Sequence, residues 1–433
     1  MRVAFAIGGI PSLGHSGSTI ASWIIISELL AAGHEVTAVL LPATYLLDDT
    51  ASKRFEELER LGATVRVIDV PPPAAPGSRW RGRASFVRSV IRPDDEALFP
   101  SVRARADVEA ALADADTGLA FGIEAIAATA GTRVPMLAAL SHPPGVARHV
   151  RARYARTERS VLGHASERSF LARADSRTAG LLRQFPSVAV FSSHHADWAA
   201  RNGAKAWYAH YPMPDRAGPD WRERRAAGKP NPKPRILMIG HLRGIGTISG
   251  FHLFVPSILP LLTEALGEDG FEVHVVGGQE PPEEFREGLA HPAVRLRGQI
   301  TDPADEFFAA DVLLAPNPTV TGASARILSG LTFGSCIVAH TDSLVGIPEL
   351  SDGQNSVLAT TGPEHADALL RVLRDAELRE RLGHGARKLF ERAFDAPVAA
   401  GRLVAELERL ANRGLRAANP RPEPPSQDAG AEP

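Results

Sequence analysis

Two histidines and two arginines occupy places where α/β proteins commonly do chemistry, in loops that follow apolar, strand-like runs. His15 lies in the flexible stretch Gly14-His15-Ser16-Gly17-Ser18, beyond the apolar run at residues 3–7. His142 follows Met136-Leu137-Ala138-Ala139-Leu140-Ser141. A histidine at such a strand end can move a proton or hold a hydroxyl in place. The ordinary alternative for each is a loop histidine bonded to backbone. Arg243 sits in the loop His241-Leu242-Arg243-Gly244-Ile245-Gly246, and Arg326 follows Gly322 by four residues, on the first turn of a predicted helix. Amides at a helix start attract anions, and a guanidinium beside them adds charge-assisted hydrogen bonds. Such a set can grip a diphosphate and stabilise its growing charge without metal.

The elements that must position these groups alternate. Residues 3–7 read as a strand, residues 18–32 as a helix with Ser18 at its N-cap, and residues 35–41 as a second strand. Apolar runs recur at residues 64–70, 118–121, 136–140 and 188–192 with helical stretches between them, the mark of a parallel, doubly wound sheet. Pro212, Pro214, Pro219, Pro230, Pro232 and Pro234 then bracket a charged stretch at residues 220–229, which reads as a stiff, solvated linker. The pattern restarts with a strand at 235–240, an apolar helix at 251–266 and strands at 271–276, 294–296, 312–315 and 337–339. Residues 378–410 read as amphipathic helix interrupted near Phe394-Asp395-Ala396-Pro397. The expected organisation is a first Rossmann-like domain at 1–214, a linker at 215–234, a second domain with terminal helices at 235–412, and a disordered tail at 413–433. Two such domains leave a cleft between the carboxyl edges of their sheets, where open α/β sheets bind ligands.

Bulk properties narrow the function. The 433 residues are 44% hydrophobic and 23% charged with a net charge of -2, normal for a globular protein and without the basic excess of a nucleic-acid binder. The single cysteine, Cys336, supports neither a disulfide framework nor a cysteine zinc site. Residues 3–7 are too short for a signal-peptide core, and the apolar stretch at 20–32 is broken by Ser22, Ser27 and Glu28, so a cytoplasmic location is expected. Arg79, Arg81, Arg83, Arg88 and Arg92, interleaved with Trp80 and Phe86, and Arg148, Arg151, Arg153, Arg156 and Arg159 read first as solvated helix faces. The sharper reading is an acidic acceptor, or peripheral contact with an anionic membrane presenting a lipid-linked one.

From residue 235 to 410 the features fall in a family's order. After the loop at Gly240 come Val275-Val276-Gly277-Gly278, Val294-Arg295-Leu296-Arg297-Gly298-Gln299-Ile300 and Ala310-Asp311-Val312-Leu313-Leu314-Ala315-Pro316. Gly322, Ala325-Arg326-Ile327-Leu328-Ser329-Gly330-Leu331, Gly346-Ile347-Pro348-Glu349-Leu350 and Asp352-Gly353-Gln354-Asn355 follow. This resembles the nucleotide-sugar domain of family 4 glycosyltransferases, a retaining family of GT-B architecture. The resemblance implies two doubly wound parallel-sheet domains facing a cleft and hexosyl transfer from a nucleotide-diphosphate sugar to a hydroxyl acceptor, with no cofactor and no metal. It implies that Arg243, Gly244, Gly246, Gly322, Arg326 and Ser329 surround the donor diphosphate and ribose, with the base near Gly298, Gln299 and Ile300. Gly14, Ser16 and Gly17 would line the acceptor side. Some inverting GT-B families carry a catalytic base at a Gly-His like that of His15, whereas His142 matches a histidine of the retaining family that positions hydroxyls.

The sequence departs from the family at Thr321 and Ser329, where two glutamates are usual and the second binds ribose. Losing a carboxylate contact costs about 1.5–3 kcal/mol, at least tenfold in donor affinity. That departure motivates two alternatives: a catalytically degenerate protein that binds sugar nucleotide or glycan, and an epimerase or hydrolase of nucleotide sugars. Two further motifs are set aside. The glycines of Gly244-Ile245-Gly246-Thr247-Ile248-Ser249-Gly250 begin too far past the strand for a dinucleotide fingerprint. Asp114-Ala115-Asp116 reads as a helix terminus rather than a metal motif, and His194-His195, after Ser192-Ser193, read as surface histidines behind a capping serine.

Overall fold

Apolar runs that are short, β-branched and free of proline become strands, and here all of them pair parallel. The computed structural model describes residues 1–13, 17–41, 51–70, 98–146, 173–227, 231–318 and 322–418. The first sheet contains β1 (Arg2–Ile7), β2 (Glu35–Leu40), β3 (Thr64–Val67), β4 (Thr117–Phe121), β5 (Met136–Leu140), β6 (Ser187–Val190) and β7 (Ala206–Tyr208) in the order β3-β2-β1-β4-β5-β6-β7. The second contains β8 (Arg235–Ile239), β9 (Glu272–Val276), β10 (Val294–Gly298), β11 (Val312–Ala315), β12 (Ile337–His340) and β13 (Val357–Ala359) in the order β10-β9-β8-β11-β12-β13. Val3–Ile7 of β1 and all of β4, β5, β11 and β12 are buried, as a sheet covered on both faces requires. The expected doubly wound α/β architecture is therefore present twice. Two edge strands escaped the sequence reading, β7 and β13, because three residues are too few to show a period.

Helices depart from expectation in instructive ways. The first helix, α1 (Gly17–Ala31), begins one residue before Ser18, which lies inside the helix rather than at its cap. α2 (Ser193–Arg201) follows β6. The charged stretch read as solvated linker contains α3 (Trp221–Ala227), and Trp221 is buried. One large ring among charges is enough to anchor it: the indole lies against Gly334, where any Cβ would fall 2.6 Å from Trp221, and the Arg387 guanidinium stacks 5.9 Å from its centroid. α4 (Ile245–Leu253) starts directly after Gly244, six residues earlier than expected, so Gly246 and Gly250 lie within it. It runs through a π-helical turn at Phe254–Ile258, around Pro256, into a further helix at Leu259–Leu266. A proline that cannot donate its N–H accounts for that irregularity. This helical run has the length and apolarity of a membrane span, but Phe251, Phe254, Ile258 and Leu262 are fully buried in the second domain's core.

α5 (Ala325–Thr332) precedes β12, and α6 (Ala396–Ala418) ends the described chain. α6 runs five residues beyond Arg413, where a disordered tail was expected to begin. It also crosses back to the first domain, packing on α1, β4 and β5, with His34 Nε2 3.3 Å from Glu408. Leu403, Leu407 and Leu410, one helical turn apart, form its buried stripe and join one apolar cluster that spans both sheets.

Candidate functional site

In both sheets the strand order reverses direction beside the first strand, between β1 and β4 and between β8 and β11. Loops diverge at such a switch point and leave a crevice at the carboxyl ends of the strands. In the second sheet the crevice is bounded by Gly240–Gly244 after β8 and by Pro316 and Asn317 after β11. Gly240 takes φ +148°, which lets the chain turn away from the sheet. Gly244 then serves as an extended N-cap for α4, and Ser324 as the N-cap of α5; neither supplies a side-chain cap hydrogen bond.

Arg326 occupies this crevice. Its Nη1 donates to Asn317 Oδ1 (2.9 Å) and its Nη2 to Thr247 Oγ1 (3.0 Å). A Cβ on Gly240 would lie 2.8 Å from the same guanidinium and one on Gly246 3.1 Å, so glycine is what lets the cation in. The Asn317 side-chain amide donates to the Gly246 carbonyl and completes the ring of contacts. Among the described residues Arg326 has no carboxylate partner, and burial brings its pKa down to about 10. A helix start carries partial positive charge, so a guanidinium set against the first turn of α4 and carried on the first turn of α5 sums positive charge at one point. An anion is the natural complement.

The other expected donor residues are spread around this centre. Gly244 and Gly246 lie at the start of α4, as described. Arg243 is exposed and its Nε donates to the Glu280 carbonyl (3.1 Å), so the two guanidinium groups have separate partners. Gly322 takes φ +106°, and a Cβ there would lie 3.1 Å from the Ser141 carbonyl, so its loop abuts the first domain. Gly298 (φ +70°) and Gln299 are exposed at the end of β10 after a register shift, while Ile300 packs on the core. Ser329 faces a small cavity of about 120 Å³ between the domains, together with Gly17 and Ile20 of α1, Arg216 and Ala325. Thus the starts of α1 and α5 face each other across the cleft; a Cβ on Gly17 would be 3.9 Å from that of Ala325. Gly14, His15, Ser16 and Thr321 lie outside the described residues, as do the arginines at 79–92 and 148–159.

His142 is half-buried in the bend after β5, and burial lowers its pKa. Beside it stands His195, which the sequence reading placed on the surface; it is 3% exposed. Burial first, then the neighbouring His142 and His194 rings, bring its pKa to about 4, and its ring hydrogen-bonds the Ser141 backbone. On the first turn of α2 His194 is exposed, as expected, and His195 is buried, a difference that the doublet alone does not reveal. The serine beside it is no ordinary cap either: Ser192 Oγ donates to the Val345 carbonyl of the second domain (2.9 Å). Thr247 and Asn317 were also missed, although Asn317 could have been found from its place just past a buried strand. Asp116 confirms a structural role, accepting from the Arg2 amide (2.7 Å) and guanidinium (3.1 Å).

Two parallel six- and seven-stranded sheets, each doubly wound and facing a common cleft, define the GT-B architecture of glycosyltransferases. Residues 233–375 match the family model described as glycosyl transferases group 1. No curated protein matches the sequence. Among solved structures, HepE of Anabaena in complex with UDP is similar over 94% of this chain and 100% of its own, at 13% identity and a TM-score of 0.63. Sucrose-phosphate synthase from Thermosynechococcus elongatus is similar over 96% and 100%, at 14% identity and a TM-score of 0.66. WaaG, a glycosyltransferase involved in lipopolysaccharide biosynthesis, is similar over 94% and 99%, at 14% identity and a TM-score of 0.57.

Proposed function

We propose that this protein is a glycosyltransferase that moves a sugar from a nucleoside-diphosphate donor to a hydroxyl acceptor, with retention and without a metal. The observation that carries the reading is Arg326, a cation enclosed at the meeting of two helix starts with no carboxylate among the described residues to balance it. The match of residues 233–375 to a glycosyltransferase model supports the same reading. So do the HepE structures with UDP, with UDP and glucose, and with UDP-glucose, which share the fold.

In this mechanism the diphosphate lies across Arg326 and the first-turn amides of α4 and α5. The bond between the sugar's anomeric carbon and the phosphate oxygen breaks, and the leaving diphosphate gains charge where the positive groups converge. The acceptor hydroxyl attacks from the same face, and its proton passes to the departing phosphate oxygen. His142, neutral because it is buried, positions hydroxyls at the facing strand end. His15 remains the candidate on the first glycine-rich loop, and Arg243 would exchange the Glu280 carbonyl for a phosphate oxygen. The donor partner is a nucleotide sugar; an acidic or lipid-linked acceptor, a cytoplasmic location and peripheral membrane contact belong to the proposal.

Calorimetric titration of UDP into wild type and Arg326→Ala tests the reading. Affinity should fall at least a hundredfold in the variant, and unchanged affinity sinks the assignment. A second reading rests on Ser329, which lines the cleft cavity and is a serine where a carboxylate would bind ribose more strongly. It holds that the protein binds sugar nucleotide without turnover. Slow release of free sugar from a donor, accelerated by an acceptor, decides for transfer; binding with no release across a broad donor panel decides for the second reading.

A further inference from the structure

A much larger cavity, about 890 Å³, opens at the opposite end of the second sheet. Its wall includes Asn231, Asp311 and Cys336, which precede β8, β11 and β12, whereas Arg326 and Asn317 stand beyond the carboxyl ends of the same sheet. The strands between separate the two places by about 15 Å. A cavity of this volume falls in the range that encloses small ligands.

Four arginines (Arg222, Arg225, Arg379 and Arg381) line it against three carboxylates, and the pairing is uneven. Asp311 is already engaged by the Arg235 amide (2.8 Å) and by Arg379 (3.7 Å). Glu377 and Glu380 are exposed. Arg225 donates to the carbonyls of Phe333 (3.0 Å) and Phe307 (3.4 Å) and to Ser335 Oγ (3.4 Å), and its buried Nε has no partner. Arg222 lies over the Trp221 ring (5.4 Å to its centroid) and donates to the His384 ring (2.9 Å), which must stay neutral to accept. Among the described residues neither Arg222 nor Arg225 has a carboxylate partner. Phe308, Ala226, Ala309 and Ala310 supply apolar wall beside them. A dianionic headgroup answers two guanidinium groups whose charge no carboxylate balances better than a single carboxylate does.

We propose that this cavity is a second ligand site, taking a phosphorylated small molecule whose phosphate meets Arg222 and Arg225 while its organic body rests on Phe308, Ala226 and Ala310. The site is independent of the cleft and of the transfer reaction.

Titration of phenyl phosphate into the full chain carrying Arg326→Ala, which silences the cleft, tests it, with inorganic phosphate as the bodiless control. Phenyl phosphate should bind one site, more tightly than inorganic phosphate. Arg222→Gln with Arg225→Gln should weaken it at least tenfold, and Ala226→Trp, an exposed wall position, should block it. Absence of binding in the Arg326→Ala protein, or binding unmoved by Ala226→Trp, overturns the proposal. Because Arg225 also ties carbonyl groups, Ala226→Trp decides alone if the charge variant fails to fold.

Discussion

Asn317 holds Arg326 in the crevice: its side-chain oxygen accepts from Nη1 at 2.9 Å while its amide donates to the Gly246 carbonyl. One short side chain thereby ties the end of β11 to the first turn of α4 and aims the cation between them.

Two substitutions at this position should separate aim from charge. Asn317→Ala frees the guanidinium and leaves its donor unsatisfied, so UDP affinity should fall about tenfold and stability by about 1–2 kcal/mol. Asn317→Asp instead gives Arg326 an internal counter-ion. The folded protein should tolerate it, with a melting temperature at or above that of Asn317→Ala, while UDP binding falls further because the anion's place is electrostatically taken. Titration calorimetry and thermal unfolding on both variants check this. UDP affinity higher in Asn317→Asp than in Asn317→Ala contradicts the assigned role.

His195 makes the fold sensitive to mild acid. Its pKa in the folded protein is about 4 against 6.5 for the free side chain, so the unfolded chain binds the extra proton between these values. Stability therefore rises with pH across this window and is lost as pH falls from about 6.5 towards 4. The expected loss between pH 7 and pH 5 is about 2 kcal/mol. Urea unfolding of wild type and His195→Gln at both values checks the sign; an equal acid loss in the variant removes His195 as the cause.

The switch-point architecture was readable because it depends on repeated apolar runs and glycines, and every strand of four residues or more was found. What stayed hidden was set by tertiary contact. Trp221 looked like one ring in a charged linker until Gly334 and Arg387 enclosed it. Arg326 and Gly322 could be placed on one helix start from spacing, but the partner of that arginine, Thr247, lies 79 residues away and no local pattern announces it. Arg243 has the same residue type in an equally glycine-rich loop, yet its side chain turns outward to Glu280. Spacing identifies which loop a side chain leaves from, and packing decides where it goes.

Glu349 is expected to clasp the two domains. Its carboxylate accepts from Tyr208 Oη (3.1 Å), the last residue of β7, and from His210 Nε2 (2.8 Å) just beyond it, while Arg402 of α6 lies 3.2 Å from His210 Nδ1. A guanidinium only donates, so Nδ1 accepts and the ring hydrogen sits on Nε2, facing Glu349. Burial opposes ionisation of Glu349, but the bonds from His210, its own backbone and Tyr208 outweigh it and hold its pKa below 4.5. The stabilisation is present above the unfolded value and is lost as pH falls through the lower folded one. Glu349→Gln should cost about 1.5–3 kcal/mol at pH 7 and much less at pH 3. Thermal unfolding at both pH values checks this, and a penalty that does not shrink in acid refutes it.

Asp215 and Arg387 fasten the connection between the domains to the second domain's helices. The carboxylate is held bidentately at 2.8 and 2.6 Å by an arginine that is 4% exposed and that also donates to the Thr332 carbonyl (2.7 Å) and Glu391 (2.8 Å). Asp215 in turn accepts from the Ala217 and Gly218 amides, so it shapes the turn that leads into α3. Removing the acid strands a buried cation, which typically costs about 3–5 kcal/mol, whereas removing both charges together costs far less. Glu391 remains as a partial partner, which places Asp215→Ala near the low end of that range. Arg387→Met combined with Asp215→Ala should recover much of the loss, giving a coupling well above that of an exposed pair. Urea denaturation of the two single variants and the double variant measures it; additive losses would mean that the two side chains merely neighbour each other, and that the turn at Ala217 and Gly218 accounts for the Asp215 effect.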